Sequence, residues 1–163
     1  MNTKVKLSAR DIYEFSMHNS YYNISGFIGV MISLVALVGA IFSIGRTSIV
    51  NTVLLFIVAA MFTVIQPLMI KLKSNKQAKM NQSIGAFLEY TFDDEGFTIS
   101  DGANEDRVMW ELILKLESTK NLALLYTTMM RAFVIPKDSL ASKYPEFRDM
   151  INTKARNARG KLK

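Results

Sequence analysis

The sequence has no cysteine, one histidine and three prolines in 163 residues. Without cysteine there is no disulfide framework, no thiol nucleophile and no Cys-ligated zinc site. A single imidazole, His18, excludes the paired histidines of a zincin-type metal centre. No Walker loop, GxGxxG run or nucleophile elbow is present. A serine hydrolase needs a base held beside its nucleophile, and His18 stands just ahead of an apolar run. Charge is missing as well: Tyr21 to Gly45 is 25 residues without one charged side chain, and Thr47 to Ile70 is another 24. Two such runs exclude an ordinary soluble globule, because the rest of the chain is too short to cover both on all sides.

A helix needs roughly 20 apolar residues to cross a bilayer core about 30 Å thick. Both runs exceed that, so residues 21–70 are expected to form a two-helix transmembrane hairpin, 21–45 and 47–70. Only Arg46 separates them, which forces antiparallel neighbours. Lys4, Lys6 and Arg10 precede the first run, and Lys71, Lys73, Lys76 and Lys79 follow the second. By the bias of basic residues to the inner side, both termini are expected to be cytoplasmic. Tyr21 and Tyr22 suit the interface. A cleavable signal peptide is disfavoured, because Asp11 and Glu14 lie in the leader and a second span follows at once.

Small residues line one side of the first span: Gly29, Ser33, Ala36 and Ala40. Thr52, Ala59, Thr63 and Gln66 have compatible spacing in the second. Small residues permit close backbone approach in lipid, so these faces are expected to pack within the hairpin; a homodimer or a partner helix is the sharper alternative. Pro67 should kink the second helix. No ionisable residue lies inside either run, which argues against an ion or proton path.

Residues 71–163 suffice for a small domain, and residues 1–20 read as a strand and an amphipathic helix. Lys71 to Gln82 reads as a polar helical connector. Phe87 to Phe92 alternates as a strand, the cluster Asp93-Asp94-Glu95-Gly96 makes a turn, and Phe97-Thr98-Ile99 continues a hairpin. Val108 to Ser118, with Trp110, Leu112, Leu114 and Leu116 alternating, reads as one strand. Leu122 to Thr127 and Arg131 to Ile135 are two more. From Pro145 a helical period places Phe147, Met150, Ile151, Ala155 and Ala158 on one face, with Arg156 and Arg159 in the last turns. Ahead of the first span, Lys4 to Leu7 alternates, and Ser8 with Asp11 forms a capping-box-like helix start. Residues 3–7 are expected to add a strand to the C-terminal sheet.

The basic charge lies at the edges of the domain. Residues 71–79 hold four lysines, and the last ten positions hold Lys154, Arg156, Arg159, Lys161 and Lys163 without an acid. Between them, residues 80–153 carry 7 basic against 12 acidic side chains. The flanks therefore point to an anionic lipid surface and away from nucleic acid. Asp93, Asp94 and Glu95, or Asp101, Glu105 and Asp106, lack the ligand spacing of a calcium loop and read as solvated turns. His18 reads as an interfacial polar residue, Trp110 as a core anchor and Lys137 as a structural contact. Met129 and Met130 fall at a hairpin tip, where an adaptable contact surface and strand-end packing compete.

The stretch Phe87-Leu88-Glu89-Tyr90-Thr91-Phe92-Asp93-Asp94-Glu95-Gly96-Phe97, then Trp110-Glu111-Leu112-Ile113, Leu124-Leu125-Tyr126 and Ala132-Phe133-Val134-Ile135-Pro136-Lys137 resembles the bacterial YcxB-like family. So does the order of short charged leader, two adjacent spans and β-rich domain. The resemblance implies an α+β cytoplasmic domain with an antiparallel, pleckstrin-homology-like sheet closed by a C-terminal helix. It supplies no catalytic residues. The expectation is a non-enzymatic membrane protein that binds or scaffolds an unknown protein partner beside anionic headgroups, without metal or cofactor. The alternative is an immunity protein against a membrane-active bacteriocin or toxin.

Overall fold

The computed structural model describes residues 1–80 and 85–163. The end of the expected connector, Asn81 and Gln82, lies outside them. The chain forms two compact units, one of Met1–Phe15 with Gln77–Lys163 and one of Ser16–Lys76.

In the first unit, strands β1 (Asn2–Lys6), β2 (Phe87–Phe92), β3 (Gly96–Ser100) and β4 (Glu105–Met109) form an antiparallel sheet in that order. Strand β1 is the segment expected to join from ahead of the apolar runs. It pairs along its whole length with β2, Asn2 opposite Thr91 and Lys6 opposite Phe87. Alternation decides its register: Val5 is fully buried while Lys4 and Lys6 face outward. A second antiparallel sheet contains β5 (Lys115–Ser118), β6 (Leu122–Tyr126) and β7 (Ala132–Pro136).

The single strand expected over Val108 to Ser118 is two strands separated by a corner. A 3₁₀ turn at Trp110–Leu112 breaks it. Trp110, Ile113 and Leu116 are buried, whereas Leu112 and Leu114 are more than half exposed. The period of two is thus interrupted where the chain passes from one sheet to the other. Gly96 is required at the sheet's first turn, since a Cβ there would stand 2.1 Å from the Val108 carbonyl oxygen.

Helix α5 (Tyr144–Lys154) follows β7, with Pro145 in its first turn. Phe147 and Ile151 are fully buried against Phe92, Phe97, Trp110 and Leu125 in one core. The helix stops four residues before Ala158, so the expected helical placement of Arg156 and Arg159 is corrected. The tail instead runs beside β5, where the Arg159 N–H donates to Leu114 O at 2.9 Å and the Leu116 N–H donates to Arg159 O at 2.8 Å. Asn152 holds the backbone of Leu162 through two hydrogen bonds of 2.8 and 3.0 Å. Gly160 makes the turn between them, at φ +79° and against Leu116 O. Ladder bonds to an open strand edge, together with burial of Leu162, outweigh another helical turn.

Helix α1 (Ala9–Tyr21) starts from the Ser8–Asp11 box: the Ser8 N–H donates to Asp11 Oδ2 at 2.9 Å, and the Asp11 N–H donates to Ser8 Oγ at 3.3 Å.

The second unit is a helical hairpin. Helix α2 (Ile24–Ser43) is capped by Asn23, whose Oδ1 accepts from the Gly26 N–H at 2.8 Å. After the turn at 44–48, α3 (Ile49–Ala60), a π-helical turn (Met61–Ile65) and α4 (Gln66–Met80) form one continuous rod. Pro67 accounts for the π turn. Its ring crowds the carbonyl four residues back, and widening the preceding turn relieves the clash; the Gln66 N–H donates five residues back, to Met61 O. Both rods, 20 and 32 residues long, are long and apolar enough to cross a bilayer, with mean hydropathies of 2.4 and 2.5 over an 18-residue stretch of each.

Candidate functional site

Close packing in the hairpin follows side-chain size. Gly26, Gly29, Ser33, Ala36, Ala40 and Ser43 are the buried residues of α2, spaced three or four apart on one stripe. At Gly29 an added Cβ would stand 2.4 Å from the Phe62 ring. Opposite the stripe, Ala59 is buried, Thr52 half-buried and Thr63 exposed. Ser33 Oγ and Thr63 Oγ1 both donate to Ala59 O, the latter at 2.8 Å. Ser43 Oγ bonds Thr52 Oγ1 at 2.8 Å. Tyr21 OH donates to Phe62 O at 2.5 Å, and Tyr22 stacks on His18 with ring centroids 4.5 Å apart. A hydroxyl with an internal acceptor leaves no orphan donor in hydrocarbon. An apolar cleft of about 310 Å³ lies between the helices, lined in part by Val30, Leu34, Phe56 and Val64. Ser33 and Thr63 also border it, and both already serve Ala59 O, so its lining is apolar apart from these two engaged hydroxyls.

The outward faces of these helices are almost wholly aliphatic or aromatic. Ile24, Phe27, Val35, Phe42, Ile49 and Val50 are each at least 60 % exposed. In water such a surface costs about 25 cal/mol for each Å² left uncovered, and contiguous exposed apolar patches mark interaction with a membrane, a partner or a ligand.

The expected membrane-surface residues fall into two sets. Lys71, Lys73, Lys76 and Lys79 are exposed along α4. At 100° per residue they spread over more than half the helix circumference and do not form a stripe. In the tail, Arg156, Arg159, Lys161 and Lys163 are exposed, while Lys154 pairs with Asp94 at 2.5 Å. The acidic turns have internal work. Asp93 Oδ1 accepts from the backbone N–H groups of Glu95 and Gly96, both at 2.9 Å, and Asp93 pairs with Arg107 at 3.1 Å. These two N–H donors and then the guanidinium hold its carboxyl below the usual range. Asp101 likewise accepts from Asn104 and Ala103, which lower its pKa. Trp110 is an anchor: its ring is buried and its indole N–H donates to Asp93 O at 3.1 Å. Lys137 Nζ donates to Thr119 O at 2.8 Å and lies 5.0 Å from the Tyr144 ring centroid.

One cluster escaped the sequence reading. All five residues of β6 are buried. Ala123 and Leu125 face the main core, while Leu122, Leu124 and Tyr126 form a second cluster with Phe15 of α1, Ala132 and Val134. At the β5–β6 turn, Glu14 accepts from Thr119 Oγ1, from the Asn121 N–H at 3.1 Å and from Asn121 Nδ2 at 2.7 Å. Burial is the largest influence on its carboxyl and raises the pKa, but those three donors and the charge of Arg10 together outweigh it, leaving the pKa lowered. The available signal was Leu122-Ala-Leu-Leu-Tyr126 itself: an unbroken apolar run marks a strand covered on both faces.

These features define a class: a hairpin of two apolar helices inserted between the first and second strands of a two-sheet domain. Residues 92–151, from the end of β2 into α5, match the family model described as YcxB-like protein. No curated protein and no solved structure matches the chain.

Proposed function

We propose that the chain is an integral membrane protein whose hairpin crosses a bacterial inner membrane twice and whose sheet domain is a non-enzymatic binding or scaffolding module in the cytoplasm. The pairing of β1 with β2 carries this reading. One strand precedes the hairpin and the other follows it, yet they share a ladder. A hairpin that crosses twice returns the chain to the side it left, which this ladder requires. The lysine bias then favours the cytoplasmic side. Four strands, a corner, three strands and a C-terminal helix are compatible with a pleckstrin-homology-like domain. The exposed lysines of α4 and the basic tail would bear on anionic headgroups, each with roughly 1 kcal/mol of attraction. The side chains available in the hairpin cleft and at the acidic turns support binding over catalysis.

Reporter domains fused to each end test the topology. Both should report the cytoplasm, and the protein should stay in the membrane pellet after carbonate extraction. Reporters on opposite sides, or release by carbonate, would refute the reading.

A further inference from the structure

The β6–β7 hairpin ends in a tip that the proposed function leaves unused. Met129 and Met130 are 91 % and 69 % exposed there, and Arg131 is exposed beside them. The turn is well formed: the Thr127 N–H donates to Arg131 O at 3.1 Å, and Thr128 Oγ1 accepts from the Arg131 N–H at 3.0 Å. Leu114, half exposed, borders it, since its N–H donates to Tyr126 O at 2.8 Å. These two adjacent, outward methionines belong to neither of the hydrophobic clusters of the domain. From Ser118 to Lys137 there is no acidic residue, although the domain body around this stretch is acidic. Phe15 packs on Tyr126, the last residue of β6, with ring centroids 6.3 Å apart. Only residues 16–23 separate Phe15 from the start of α2.

We propose that this tip is a lipid-insertion element, in which Met129 and Met130 enter the headgroup–acyl boundary of an anionic leaflet while Arg131 meets the phosphates. The inference rests on the membrane reading above and deepens it. Methionine suits the site because its unbranched side chain adapts to a disordered apolar phase. A basic residue next to an apolar tip is the pairing that interfacial insertion favours. A protein partner would place the same side chains in a dry, lipid-free contact.

The lack of native cysteine makes the test direct. Full-length protein carrying Met129→Cys, Lys120→Cys or Val35→Cys, each labelled with an environment-sensitive fluorophore, is reconstituted in phosphatidylglycerol-containing vesicles with nitroxide lipids. Val35 faces outward on α2, and Lys120 is exposed in the turn at the opposite end of β6. The expected result is quenching of Val35 by deep nitroxides and of Met129 by shallow ones, with Lys120 unquenched. Arg131→Gln should reduce Met129 quenching to its level in phosphatidylcholine vesicles. If Val35 is quenched and Met129 is not, the tip proposal fails and the hairpin reading stands. If Val35 is not quenched, the hairpin reading fails and takes the tip with it. A blue shift at Met129 without lipid quenching assigns the tip to a protein contact and overturns the proposal, as does quenching indifferent to Arg131→Gln.

Discussion

Val5→Ala tests whether the segment ahead of the hairpin is part of the sheet domain. Val5 is fully buried in the main core, and β1 pairs with β2 along five residues. The substitution removes two methyl groups, worth about 0.8 kcal/mol each in transfer free energy. The cavity term adds to this, because core neighbours relax only partly, for a total of about 2 kcal/mol. At about 1.4 kcal/mol per factor of ten, opening of the β1–β2 pair should become roughly 30-fold more frequent. Native-state hydrogen exchange on full-length protein in vesicles reads this directly at the amides of Phe87–Phe92. Lys4→Ala, on the outward face of the same strand, is the control and should leave exchange nearly unchanged. Protection at β2 that Val5→Ala alters by less than about threefold would mean that β1 is not held in the sheet as described.

Four further outcomes follow from the same geometry. Gly29→Val should cost about 1–3 kcal/mol through overpacking against Phe62, whereas Ser33→Ala should cost about 0.6 kcal/mol, the average for a polar contact in lipid; thermal aggregation in detergent should separate the two. Trp110→Ala should destabilise the domain by about 3–5 kcal/mol and Trp110→Phe by about 1 kcal/mol for the lost bond to Asp93 O, both measured by hydrogen exchange. Burial pushes the Tyr90 hydroxyl up to about 12, so its contribution is complete below pH 10 and is lost as pH rises toward 12; an alkaline titration followed by tyrosinate absorbance should reveal two late-ionising groups, Tyr90 and Tyr126, of which Tyr90→Phe removes one. Glu14 has the opposite sign. Its pKa is lowered, so its clamp contributes above the ordinary carboxylate range and fades as pH falls through the folded value, and Glu14→Gln should abolish that acid dependence of α1 protection.

What was legible in the sequence was whatever a local period could carry. The charge gaps located both rods, the alternation of Phe87–Phe92 located β2, and the Ser8–Asp11 pair marked the start of α1. The small-residue stripe on α2 was visible because a four-three-four spacing keeps one helix face. The corner at Trp110–Leu112 was hidden, because three more alternating leucines look the same whether or not the chain turns between sheets. The end of α5 was hidden for a different reason. Nothing near Arg156 forbids helix; the competitor is the open edge of β5, some 40 residues earlier. The Glu14 clamp joins residues 105 and 107 positions apart, beyond the range of any spacing rule.

Inserting the hairpin between β1 and β2 also constrains biogenesis. The first strand leaves the ribosome early and must wait, unpaired, through about 80 residues of synthesis before its neighbour exists. Such a non-local pairing is slow to form. In a membrane-inserted chain it forms only after the second rod has brought the polypeptide back, so completion of the sheet reports that insertion succeeded. A molecule threaded the wrong way would display a raw edge on β2 and an uncovered core, features that invite aggregation and proteolysis. For a chain that crosses the membrane twice as proposed, the ladder would be a topological checkpoint, coupling completion of the sheet domain to correct threading of the hairpin.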